Sequence, residues 1–177
     1  MYSALNVAEH IIKRCNEQGR PISNLKLQKI LYFVQAEFLV STGNVCFTDT
    51  IEAWDFGPVV PSVYHRYKVY GSASIPYFPA RVLGRILTRD QQIMDEIIDE
   101  CAKFSASRLV DITHAQTPWK KAYRSFSKVI TPESIKCYFE EGFDACIIPW
   151  KCFLRITALY IFGCFFIFLC NILTPTI

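Results

Sequence analysis

Residues 24–41, NLKLQKILYFVQAEFLVS, carry apolar side chains on almost every side of a helical turn: Leu25, Leu27, Ile30, Leu31, Phe33, Val34, Phe38 and Leu39. A surface helix confines such residues to one stripe, and a helix apolar nearly all round has to be enclosed. The rest of the chain must therefore pack around this segment. Ser23 is placed to cap its first turn, and Gly43-Asn44 to end it. Lys26 and Lys29 are expected to solvate its one wet edge.

The chain is long enough to enclose such a helix. It has 177 residues, 51% of them hydrophobic and 20% charged, which suits one domain with a real core and excludes a disordered polymer. The net charge of +3 is spread over basic residues interleaved with acids. That pattern lacks the basic stripe of a nucleic-acid binder, so nucleic acid is not expected as a partner. None of the eight cysteines forms a C-x-x-C pair, and the N-terminus has no basic lead followed by an apolar run. A cytoplasmic domain with reduced thiols follows, without zinc or a structural disulfide. Cys15 and Cys101 fall on apolar helix faces as small core residues.

Periodicity places the other elements around the central helix. Residues 3–18 repeat Leu5, Ala8, Ile12 and Cys15 at helical spacing, and Gly19 and Pro21 stop them. Residues 45–55 are β-branched and aromatic and read as one or two short strands. Residues 61–70 return to helix with Gly71 as its cap, and a further strand is expected at 82–87. Thr88 and Gln91 form a T-x-x-Q capping box opening a helix over 89–104. There Asp95, Glu96, Asp99 and Glu100 form a wet acidic face, with a contact surface for a basic partner as the alternative. Three short helices follow: 105–112, one capped by Thr117 with Pro118 in its first turn, and one repeating that device with Thr131 and Pro132. The fold class is mainly α, a multi-helix domain with a minor β element.

From Ile156 to Leu173 the chain runs eighteen residues without a charge. As a helix this spans roughly 27 Å, close to a bilayer core. Lys151 and Arg155 precede it, which would hold the preceding domain on the cytoplasmic side of an inner membrane. The domain is read as residues 3–142, with a linker at 143–155 and a transmembrane helix at 156–173; a buried helix and a coding artefact are the alternatives.

Signatures of catalysis are sparse. There is no G-x-G-x-x-G or Walker phosphate loop, no G-x-S-x-G elbow and no H-x-x-x-H pair. Asp111 and His114 are spaced to share a helical turn, and an Asp can orient a His as a general base, but no nucleophile accompanies them. His114 otherwise reads as a helix-end residue filling a polar gap. No cofactor or metal is indicated.

The stretch IEAWDFGPVVPSVYHRYKVYG, residues 51–71, is the densest in the chain. Gly57-Pro58 is a turn signal, and Pro61 opens the following helix. Trp54 and Phe56 before the turn, with Tyr64, Tyr67 and Tyr70 after it, form an aromatic set rich in the residue types that anchor interfaces. Trp54, Tyr64, Tyr67 and Tyr70 are the expected partner-binding residues; packing of the turn on the core is the alternative for Trp54 and Tyr64.

Three motifs in order, NLKLQKILYFVQAEFL (24–39), the stretch 51–71 and LVDITHAQTPWKKAY (109–123), resemble the Panacea domain, the SocA-like antitoxin domain of phage-associated GepA-like proteins, over roughly residues 3–142. The motif positions are Leu27, Gln28, Lys29, Leu31 and Tyr32; Trp54, Gly57, Pro58, Val59, Pro61 and Tyr64; and Thr113, His114 and Trp119. The resemblance implies a non-enzymatic antitoxin that neutralises a cognate toxin protein by direct binding, with a toxin-to-protease adaptor as one branch. It implies that most motif residues are a structural signature. Asp55-Phe56 departs mildly from the usual pattern, and the tail from about 146 has no counterpart in the family. A DNA-binding autorepressor is a rival, because helices 3–18 and 24–41 could pass for a helix-turn-helix.

Overall fold

In a computed structural model, which describes residues 1–78 and 84–141, the central helix is the axis of the fold. α1 (Ala4–Glu17) leads into α2 (Asn24–Thr42), whose turns are opened by Ser23 Oγ accepting from the Lys26 amide and closed by Gly43 in a left-handed conformation. Thirteen residues of α2 are buried, on every side of the helix, and its exposure is confined to Leu25, Lys26, Glu37 and its last turn. A helix buried along most of its length is poorly placed to lie in a DNA groove, which argues against the helix-turn-helix reading.

Five elements pack on α2 most closely: α1, α4 (Thr88–Ala102), α5 (Ala106–Ala115), α7 (Pro132–Glu141) and β2 (Gly57–Val59). Apolar burial drives each contact: Ala4, Val7, Ala8, Ile11, Ile12 and Cys15 from α1, and Met94, Ile97, Ile98 and Cys101 from α4. Polar contacts then fix the α1–α4 pair. Arg14 donates to Asp95 and, in a forked pair, to Asp99, all within 2.8 Å; His10 lies 2.8 Å from Asp95. The Arg14 guanidinium holds the Asp99 carboxyl below its ordinary pKa. Two of the four acids expected on a wet face are thus committed to α1, because a pattern of charge cannot reveal a cation eighty residues away.

Two expected caps differ. α4 begins at Thr88 with Leu87 in the capping position, and Gln91 Nε2 donates to the Ile86 carbonyl. The cap comes instead from the Tyr2 hydroxyl, which accepts from the Leu87 amide (3.1 Å) and donates to Asp90 (2.7 Å). α6 (Thr117–Arg124) takes Gln116, not Thr117, as its cap residue. Thr131 does cap α7, accepting from the Ser134 amide.

The β element is a three-stranded antiparallel sheet in the order β2-β1-β3, formed by β1 (Ile51–Trp54), β2 and β3 (Val129–Ile130). β1 and β2 are a hairpin whose turn is Asp55-Phe56, two residues earlier than the Gly57-Pro58 signal suggests; Trp54 pairs with Gly57 across it. α3 (Pro61–Tyr67) follows, then a 3₁₀ turn, Lys68–Tyr70, where one continuous helix was expected. Residues 84–87 carry no strand. Among the described residues no helix is long and apolar enough to cross a membrane. The linker at 143–155 and the helix at 156–173 lie outside the described residues.

Candidate functional site

α2 buries a row of polar side chains, Asn24, Gln28, Lys29, Tyr32 and Gln35. Buried polar groups are costly unless hydrogen-bonded, and each of these is bonded. Gln35 accepts from the amides of Cys46 and Phe47 and donates to the Phe47 carbonyl. Gln28 accepts from the Val60 amide at 2.9 Å and donates to Asn24, which donates to the Tyr64 carbonyl. Lys29 Nζ donates to the Pro58 carbonyl at 2.8 Å, and the Tyr32 hydroxyl donates to Gln116 Oε1 at 2.8 Å. The helix thereby ties down the loop at 46–47, the second strand of the hairpin and the α5–α6 junction. Leu27 and Leu31 fill the apolar space between these ties.

The expectation that Lys26 and Lys29 solvate an edge is corrected. Lys29 is 0% exposed, and burial pulls its amine down to about 7. Lys26 Nζ donates to the Ala102 carbonyl at the end of α4 (3.0 Å). Gly57, Pro58 and Val59 are buried over α2, and Gly57 packs against the Lys29 side chain and Thr113. Thr113 Oγ1 donates to the Val110 carbonyl, and Pro61 opens α3.

The hairpin is held from its other side by a ladder of rings. His114 stacks on Trp119 at 4.0 Å, and Trp119 on Tyr123 at 4.7 Å; Lys128 Nζ lies 4.5 Å over the Tyr123 ring. Trp119 Nε1 donates to the Trp54 carbonyl at 3.1 Å, and the Tyr123 hydroxyl donates to Asp55 at 2.9 Å. The entry side of the tight turn, Trp54 and Asp55, is therefore anchored to α6, while its exit side is held by α2. His114 belongs to this ladder. Its Nε2 is buried and bonds no described group, and burial together with Lys29 lowers its pKa. A neutral ring clamped flat on Trp119, with Asp111 exposed, is packed as a structural element rather than poised beside a reacting group.

Between the hairpin and α3 lies an open groove of about 520 Å³, lined by Leu25, Ala53, Trp54, Phe56, Val59 and Tyr64, with Lys68 and Lys128 among its other lining residues. The Trp54 and Tyr64 rings meet edge-to-face at 4.9 Å, and Trp54 Nε1 donates to Glu52 at 2.8 Å. Phe56, at the turn, is 68% exposed. An exposed aromatic on a turn tied from both sides is a rigid contact point.

The four expected partner-binding residues do not share this groove. Trp54 and Tyr64 line it; Tyr67 and Tyr70 line a second, smaller depression with Glu9, Arg66, Tyr77 and Phe78. Tyr67 is buried, and burial raises its hydroxyl to about 12. Tyr67→Ala is therefore expected to lower stability by about 3 kcal/mol in urea denaturation, whereas Tyr70→Ala, half-exposed, should cost well under half as much. Phe56 stands in the aromatic set of the sequence but outside the four expected partner-binding residues, and Lys68, Tyr123 and Lys128 carry no sequence signal as site residues. His114, Trp119 and Tyr123 stack across a helix break, so no single helical period connects them.

Among the described residues no group of His, Cys, Asp and Glu is placed to hold a metal ion. The family described as antitoxin SocA-like, Panacea domain, matches residues 27–120, more than half of the chain. Antitoxin SocA of Caulobacter vibrioides (strain NA1000 / CB15N) is 33% identical over 131 residues, covering 64% of this chain and 66% of that protein, just under two thirds of its length. No solved structure matches the chain. The matched span takes in the tied hairpin, the buried polar row of α2 from Leu27 onward and the His114–Trp119 stack, and the chain belongs to the SocA-like antitoxin, Panacea domain family.

Proposed function

We propose that this chain is an antitoxin of a toxin–antitoxin system, silencing a cognate toxin protein by stoichiometric binding without turnover. Its membership of the SocA-like family supports the antitoxin role. The observation that carries the contact surface is the hairpin turn. Phe56 stands exposed beside an aromatic groove, on a backbone anchored by α2 beneath and α6 alongside. Pre-organised aromatic anchors of this kind supply much of the energy of protein interfaces.

The test is co-expression with the product of the neighbouring reading frame. Phe56→Asp should fold like the parent, because the side chain is exposed, and should lower protection and toxin affinity at least about tenfold. Unchanged protection would move the contact surface elsewhere. Protection at strongly substoichiometric levels would favour the protease adaptor, and salt-sensitive binding to its own promoter the autorepressor.

Attachment to a membrane through 156–173 is a separate proposal, supported by the uncharged run itself. Full-length protein is then expected in the membrane fraction after carbonate washing; recovery in the supernatant would remove it.

A further inference from the structure

The groove beside the hairpin is aromatic, and neither of its two lysines is paired with a carboxylate among the described residues. Its carboxylates keep their charge and are oriented by neutral donors, Glu52 beside it by Trp54 Nε1 and Asp55 at its lip by the Tyr123 hydroxyl. Of its cations, Lys128 holds its ammonium 4.5 Å over the Tyr123 ring. Lys68 and Lys128 are both exposed. Lys120, Lys121 and Arg124 on α6 are exposed as well, and no Asp or Glu occurs from 112 to 132. Lys128 adds a backbone oddity. It has φ 53, the left-handed region that glycine adopts freely, and it is a non-glycine residue held there by its carbonyl accepting from the Ala53 amide and its amide donating to Ser125 Oγ. A lysine at such a position costs on the order of 1 kcal/mol relative to glycine. That cost is a reason to look for use of its ammonium.

We propose that the groove receives an extended segment of the partner bearing a large aromatic side chain flanked by carboxylates. The aromatic ring would lie against Trp54, Tyr64 and Phe56 over the floor of Leu25, Ala53 and Val59, and the carboxylates would meet Lys68 and Lys128. The volume of about 520 Å³ falls in the range of pockets that enclose a ligand of that size. The inference rests on the reading of this groove as the antitoxin's contact surface and names the chemistry that the surface selects.

The experiment is fluorescence anisotropy of the full chain with three labelled pentapeptides: tryptophan flanked by glutamates, tryptophan flanked by lysines, and alanine flanked by glutamates. The acidic tryptophan peptide should bind at least about tenfold more tightly than either control and weaken as salt rises. Lys68→Glu and Lys128→Glu should each weaken it several-fold. Lys128→Gly removes the charge and relaxes the backbone, so it should be at least as stable as the parent and still bind less tightly, a loss that unfolding cannot explain. Equal binding of the acidic and basic peptides, absence of binding by all three, or full binding by Lys128→Glu overturns the proposal. So does self-association of the chain that Phe56→Asp abolishes, which would place a second copy in the groove. If the peptides fail while Phe56→Asp still abolishes protection, the contact surface stands and only its chemistry is wrong. If the acidic peptide binds while Phe56→Asp protects fully, the chemistry stands and the toxin contact lies elsewhere.

Discussion

Gly57→Ala should destabilise the protein by about 3 kcal/mol or more, a large share of the roughly 5–15 kcal/mol that holds a domain together. Two penalties combine. Gly57 has φ 96, where a β-carbon is strained whatever the space around it. A β-carbon there would also lie 2.7 Å from Thr113 Oγ1, 2.9 Å from Lys29 Cε and 3.1 Å from Lys29 Nζ. A flexible lysine tip normally moves aside, but Lys29 is fully enclosed and its amine is bonded to the Pro58 carbonyl. Thr113 is likewise held by its bond to Val110. Relief therefore requires the hairpin to lift off α2, which breaks the ties that position Phe56. Urea denaturation gives the stability, and the toxin affinity of the residual folded protein should fall with it. A loss below about 1 kcal/mol would mean that the hairpin slides without cost, and the account of a tied turn would fail.

Lys29→Met should remove a pH dependence that the parent shows above neutrality. In the folded protein burial lowers the Lys29 amine to about 7, from an ordinary 10.5. Between those values the folded state holds it neutral while the unfolded chain holds it protonated. The unfolded state then binds the extra proton, so stability rises with pH through this window. Below about 7 both states are protonated and the dependence from this group ends. The slope approaches about 1.4 kcal/mol per pH unit once the folded amine is neutral. Cys15, Cys46 and Cys101 act in the opposite direction, because burial raises their thiols to between about 11 and about 12, and the unfolded chain loses those protons first. The clean interval is therefore from pH 7 to about 8.5, below the ordinary thiol range. Across it the parent should gain about 1–2 kcal/mol and Lys29→Met should gain almost none. Methionine fills similar volume, so the variant loses one hydrogen bond and one desolvated charge, and at pH 7 its stability should be close to that of the parent. Parallel pH profiles for the two proteins would show that Lys29 is solvated after all.

What the chain's pattern reveals and what it hides differ by physical cause. The enclosed position of α2 is legible because eight apolar residues distributed around one helix leave no alternative to burial. Its polar members are not legible: Lys29, Gln28 and Gln35 lie inside because backbone groups at Pro58, Val60 and residues 46–47 fold over them. The same holds for Tyr64 and Tyr67, three residues apart on one helix. The first leans on Trp54 in the groove, while the second is buried toward α1.

The sequence by itself determined the helical class, the central helix, the order of the motifs and, through their spacing, the family. These depend on local periodicity and on residue types whose burial or turn preference is intrinsic. Only the tertiary structure decided the function of the motif residues as ties between α2 and the hairpin, the commitment of Asp95 and Asp99 to α1, and the groove with its two lysines. Each of these depends on which distant backbone or charge a side chain meets. Hydrogen bonds and ion pairs are short-ranged and directional, so the chain must close on itself before a lysine can be told apart as a surface charge, a core strut or a contact for a partner.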